Sequence, residues 1–398
     1  MNASTVKQEV KNITDELISI RRYLHQNPEL SFQEIKTSKY ISELLNKWGI
    51  EHTSNVGGYG IIGILKGKNP DSKVIALRAD MDALPIIEEN NVKYCSVNDG
   101  IMHACGHDVH MTCLLGTIKL LSENRDWFNG SIKFIFQPAE ETLPGGALKM
   151  IEDGVLENPK PDLIIGQHVF PELESGKVGV RSGPYMASTD ELNLTISGRG
   201  GHGALPQTFD DTIHTAAELI HKIKEKVNEK APTDYPTVLS FGKIVADGAY
   251  NIIPKEVIIK GTFRTFDENW RKIVHKIIKT IATEISAKHN TNCDVFINSG
   301  YPVLENDKQL AILFEKNAIE YLGEQNVEIL DMRTTGEDFA RFTQLIPGVF
   351  YRLGIANKKQ GINSRLHSPT FNIDESSIEI GTGIMIWNTI MTSLDDSY

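Results

Sequence analysis

The chain has 398 residues, 40% of them hydrophobic and 23% charged, with a formal net charge of −11. That length can bury a substantial core and suits two domains, while the acidic balance disfavours nucleic acid, whose phosphates require Lys and Arg to neutralise them. No stretch approaches the roughly 20 apolar residues of a membrane span, and Met1 to Leu24 hold no apolar core of signal-peptide length, so no membrane partner is expected and the location read from sequence is cytoplasmic.

In chain order, the periodicity predicts helices over about 5–24 and 31–48, with Ser31 as N-cap of the second and Glu34 three residues on, the capping-box spacing. Four apolar runs then read as buried strands: Val74 to Leu77 before Asp80, Ile132 to Phe136 before Glu140, Leu163 to Ile165 before His168, and Val349 to Leu353 ahead of His367. The segment after Cys105 turns helical at Asp108, which could cap it, and Leu114, Leu115, Ile118 and Leu121 form its apolar stripe. From about 187 the pattern changes to strand 191–197, helix 209–227, strands 237–245 and 256–264, helix 269–288 and strand 293–298. This β-α-β-β-α-β order is the split, ferredoxin-like unit. The expected architecture is α/β: a large catalytic domain (1–186 and 299–398) with a central mixed sheet flanked by helices, interrupted by an inserted ferredoxin-like domain at 187–298.

Residues 103–110, His-Ala-Cys-Gly-His-Asp-Val-His, concentrate metal-type side chains in one short segment. Cys105 and His107, two apart, converge only from a turn, which Gly106 permits. Thiolate, imidazole and carboxylate are all ligands of zinc-like divalent ions. Glu140, Glu141, His168 and His367 each follow an apolar run, and ligands of open α/β sheets gather at the carboxyl ends of strands. His103 and His110 read instead as supporting or solvated side chains. In the Glu140-Glu141 pair, neighbours on an extended backbone point opposite ways, so one suits a metal and the other a general base.

Other signals are weaker or misleading. Gly198-Arg199-Gly200-Gly201-His202-Gly203 satisfies G-x-G-x-x-G, but Pro206 intervenes before the next helix and no acidic strand end follows at the required distance, so a dinucleotide site is rejected. The glycines read as a loop presenting His202. No G-x-S-x-G or H-E-x-x-H motif is present. Four scattered cysteines make no disulfide framework and fit a reducing compartment.

Together, Met102 to His110, Gln137-Pro138-Ala139-Glu140-Glu141, Gly201-His202-Gly203-Ala204, Asn251-Ile252-Ile253-Pro254, Gly336-Glu337-Asp338-Phe339 and Leu366-His367-Ser368-Pro369 resemble the aminoacylase/carboxypeptidase family of dinuclear metallohydrolases. The branch is that of hippurate hydrolases, auxin-conjugate amidohydrolases and N-acetyl-diaminopimelate deacetylases. The resemblance implies Cys105, His107, Glu141, His168 and His367 as ligands of two divalent ions, with Cys105 standing where other branches use a bridging Asp. Zinc or manganese would be the metal, and cobalt or nickel also suit the donor set. It implies Glu140 as general acid/base on a metal-activated water, His202 as oxyanion stabiliser in its own or a partner's site, and Asn251 and Arg264 near the substrate carboxylate. It further implies that the inserted domain serves as lid and dimer contact, in a homodimer or homotetramer. Ala204-Leu205-Pro206-Gln207 departs from relatives that carry a His near Gln207.

The expected activity is cleavage of N-acyl amino acids, acetyl or aromatic acyl, to a carboxylate and a free amino acid. One alternative is a metallo-dipeptidase or carboxypeptidase on the same scaffold. Another is a non-catalytic metal- or ligand-binding protein, against which the intact Glu140 speaks.

Overall fold

The structure, a computed structural model, describes residues 1–395. The chain divides into two compact units, one of residues 1–183, 305–331 and 338 onward, the other of 184–304 and 332–337.

The larger unit is built on an eight-stranded mixed sheet. Its strands in chain order begin with β1 (His52–Val56), β2 (Gly60–Lys66), β3 (Val74–Asp80), β4 (Ser131–Gln137), β5 (Leu163–Glu174) and β6 (Val178–Val180). Strands Val327–Ile329 and Gly348–Ala356 complete it, in the spatial order β1, β2, β4, β3, β5, Gly348–Ala356, β6, Val327–Ile329. The central neighbours β4, β3, β5 and Gly348–Ala356 run parallel. Every residue of β3, β4 and Gly348–Ala356 is buried, the pattern of parallel strands covered on both faces. Helices α1 (Ala3–Gln26), α2 (Ile35–Lys47), α3 (His107–Glu123) and the C-terminal helix Ser376–Leu394 supply the apolar cover, and the short helix α4 (Gly146–Glu152) follows β4. No helix among the described residues is long and apolar enough to cross a membrane.

The starts of α2 and α3 differ from the sequence expectation for the same reason. Helix α2 begins at Ile35, not near Ser31, because the Ser31 hydroxyl donates to Asp82 and the Glu34 side chain accepts from Phe32 and Ala139. Helix α3 begins at His107 with Gly106 as N-cap, and Asp108, inside the first turn, is claimed by Arg21 and His25. In both places a long-range partner outbids the local cap.

The smaller unit is a four-stranded antiparallel sheet in the order Val238–Val245, Glu256–Arg264, Asp190–Ser197, Asn292–Ser299, covered by helices α5 (Thr212–Lys230) and α6 (Glu268–Lys288). This is the ferredoxin-like topology. Burial alternates along Asp190–Ser197, and Leu192, Leu194 and Ile196 point into a core with Leu219, Ile223, Val274 and Ile278. Helix α5 starts three residues later than expected, at Thr212, because the Asp211 carboxylate accepts from the His214 amide and caps it there. Under α6, Asp190 is paired with Arg271 (2.6 Å) and His275 (2.6 Å).

Candidate metal centre

The donors collect where β3 and β4 end and α3 begins. Gly106 makes that approach possible twice over: its φ is +82°, and a Cβ built there would meet Val169 Cγ2 at 2.4 Å. The tight turn sends Cys105 and His107 to the same place. His367 also has a left-handed backbone (φ +59°), held by its amide donating to the Ala104 carbonyl at 2.8 Å. That bond ties the distant His367 to the residue before Cys105.

All five residues expected as ligands lie together. Cys105 belongs to two triads, one with His107 and His168 and one with Glu141 and His367, in each of which the donor atoms lie within 4.8 Å of one another. Cys105 Sγ is 3.5 Å from His168 Nε2, and Glu141 Oε1 is 3.2 Å from His367 Nε2 and 3.9 Å from His107 Nε2. The donor set fits divalent ions on its own chemistry. His107 Nε2 and Glu141 Oε1 are buried and, among the described residues, make no hydrogen bond, an expense that a bound cation would remove. His168 donates from Nδ1 to the Val169 carbonyl at 2.7 Å, which leaves the Nε2 lone pair for a ligand.

Electrostatics among the protein groups point the same way. Burial, then Glu141 and Glu140, hold the Cys105 thiol well above its usual range, so a cation is what would turn it into a thiolate. Burial, with Arg352 nearby, keeps His168 neutral, the form that coordinates metal. Burial opposes a charged His107, but Asp80 and Asp82 outweigh it and lift its pKa to about 10. A cluster that gathers this much negative charge suits a positive guest.

The support is denser than the sequence suggested, and Asp82 is its hub. Its Oδ1 lies 3.2 Å from His107 Nδ1 and accepts the Glu140 amide at 3.0 Å, and its Oδ2 accepts the Glu141 amide at 2.9 Å and the Ser31 hydroxyl at 2.7 Å. One carboxylate therefore orients the His107 imidazole and the paired glutamates together. His110 is engaged on both nitrogens, 2.5 Å from Asp80 Oδ1 and 2.8 Å from the Val169 amide that donates to it. Buried Arg78 bridges Asp80 and Asp338, and Asp338 in turn accepts from Gln137 and donates its amide towards Glu140 Oε1 at 3.4 Å. Neither ring nitrogen of His103 has a hydrogen-bond partner among the described residues, and burial pushes its pKa down to about 3.

His202, Asn251 and Arg264 belong to the smaller unit. The Ala204 amide donates to His202 Nδ1 at 3.1 Å, and Asn251 Nδ2 lies 3.3 Å from His202 Nε2. Both side chains are exposed. Half-buried Arg264 donates to the Thr334 carbonyl at 3.0 Å.

Comparison with known proteins places the chain. A family model for peptidase family M20/M25/M40 matches residues 76–386. An N-acyl-L-amino acid amidohydrolase from Geobacillus stearothermophilus is 42% identical over 307 residues, 76% of this chain and 82% of the relative. A thermostable carboxypeptidase from Saccharolobus solfataricus is 37% identical over 380 residues, 94% of this chain and 95% of the relative. Among solved structures, a dinuclear metal binding peptidase of the M20 family from Bacillus subtilis superposes with a TM-score of 0.83 at 32% identity, covering 96% of this chain and 99% of the other. The chain belongs to peptidase family M20/M25/M40 and is one of its hydrolases.

Proposed function

We propose that this family member is a metal-dependent amidohydrolase that splits N-acyl amino acids into a carboxylate and a free amino acid, with Cys105, His107, Glu141, His168 and His367 as the metal ligands. The observation that carries the reading is the divided pair: Glu141 Oε1 faces His367 and His107, Glu140 Oε1 faces the Asp338 amide, and Asp82 holds both their backbones. Two divalent ions, zinc or manganese, would supply Lewis acidity towards the scissile carbonyl and make water acidic enough for a carboxylate to deprotonate. Glu140 takes that proton from the attacking water and returns it to the departing nitrogen. His202 donates from Nε2 to the oxyanion, and Asn251 and Arg264 receive the substrate carboxylate. The amidohydrolase relative at 42% identity supports the amide substrate.

A homodimer or homotetramer and a cytoplasmic location complete the proposal. The four cysteines, none of them in a disulfide, are consistent with a reducing compartment. The carboxypeptidase relative favours one second reading, a peptidase acting on a free-amino substrate. Amine release from a panel of N-acetyl, N-benzoyl and dipeptide substrates, with chelated enzyme refilled with manganese or zinc, separates the two. Metal-restored release from the acylated members is expected. Release from dipeptides alone would move the assignment to the peptidase.

A further inference from the structure

Two residues beside the proposed centre occupy the left-handed region although they carry side chains, Phe32 at φ 62° and Ala139 at φ 52°. Such backbone strain persists only where the surroundings hold it. Both residues direct their backbone N–H to the same atom, Glu34 Oε1, at 3.0 Å from Phe32 and 2.8 Å from Ala139. Glu34 is completely buried, and its other oxygen, Oε2, has no hydrogen-bond partner among the described residues. Burial, reinforced by Asp82, raises its pKa to about 7. A buried carboxylate with an idle oxygen is a costly way to satisfy two amides. What it secures is the direction of the chain at Ala139, one residue before Glu140. The Gly146 amide closes the same turn on the Ala139 carbonyl at 2.8 Å.

We infer that Glu34 is a positioning residue for the reaction: by holding the left-handed turns at Phe32 and Ala139 it sets the angle at which Glu140 and Glu141 leave the end of β4. This rests on the roles proposed above for that pair. Reach, not charge, is what the geometry demands. Glu34→Gln keeps an acceptor oxygen at the same distance, whereas Glu34→Asp keeps the charge and withdraws the acceptor by one methylene.

Two readouts test it, amide hydrogen exchange at Ala139 and steady-state kinetics. In the wild-type protein the Ala139 amide should be strongly protected, and rapid exchange there would overturn the inference without any variant. E34D should speed that exchange at least about tenfold and lower kcat by about 10- to 100-fold, as a small misplacement of a reacting group does. KM should stay within about threefold, and E34Q should recover kcat to within about threefold of wild type. Wild-type kcat in E34D, slow turnover with unchanged Ala139 exchange, or equal impairment in E34Q and E34D would each refute positioning by reach. E140Q is measured alongside. If E140Q turns over normally, the role of Glu140 has failed and the exchange data alone judge Glu34.

Discussion

Asp82 and Glu140 are single carboxylates with unequal tasks in the proposed chemistry. Glu140 is buried, and its amide is fixed by Asp82. Replacing it with Gln preserves shape and the backbone bond while removing the proposed base. Glu140→Gln is therefore expected to keep its metal content, measured by mass spectrometry, and to lose about 10²–10⁴ in kcat. Near-normal turnover would sink the assignment. Asp82→Ala should fail differently. It frees the His107 ring and two amides without deleting a ligand, so metal affinity by equilibrium dialysis should weaken by about 10- to 100-fold; unchanged affinity would demote Asp82 to packing. The five ligand-type side chains were legible as a group, because Cys105 and His107 flank a glycine turn and Glu141, His168 and His367 each follow an apolar run. Asp82 and Glu34 were not, since a lone acidic residue in a sequence says nothing about which distant amide it will meet.

Among the elements, the start of α3 bears the tightest constraint. Gly106 combines a φ of +82° with a Cβ position 2.4 Å from Val169 Cγ2. Gly106→Ala should cost about 2–4 kcal/mol from left-handed strain and overpacking together, read as a shift of the urea midpoint without a change in slope. A midpoint equal to wild type would mean the turn relaxes freely. Sequence periodicity found the strands and the ferredoxin-like alternation because burial imposes a period on them. It missed the true starts of α2 and α3, where Ser31, Glu34 and Asp108 have the composition of caps but spend their side chains on Asp82, Ala139 and Arg21. Capping rules describe a competition among local partners, and here the winning partners lie roughly 50 to 105 residues away in sequence, or 87 for Asp108 with Arg21.

For the molecule, stability and acidity meet in the smaller unit at Asp190. Burial opposes its ionisation, but His275 and Arg271 more than compensate and hold its pKa below the ordinary carboxyl value. A carboxylate whose folded pKa is depressed contributes stability that is complete above its unfolded pKa and is lost as pH falls through the folded one. Asp190→Asn should thus lower stability by about 2 kcal/mol near neutral pH and flatten the acid limb of the stability curve as pH falls through and below the ordinary carboxyl range. Denaturant midpoints taken across that range would show it, and parallel curves for variant and wild type would rule it out.

The struts of the proposed centre extend beyond the segment that identifies the family. That segment begins at residue 76, yet Asp108 is gripped by Arg21 and His25, Asp82 by Ser31, and Ala139 by Glu34. A chain shortened to residues 76–386 would retain every proposed ligand, the proposed base and Asp82 while losing Arg21, His25, Ser31 and Glu34. Two relatives identical across that stretch could still differ in turnover through their first 34 residues. Helix α1 and the turn that follows it are thus as much a part of the proposed centre's inheritance as the motifs by which the family is recognised.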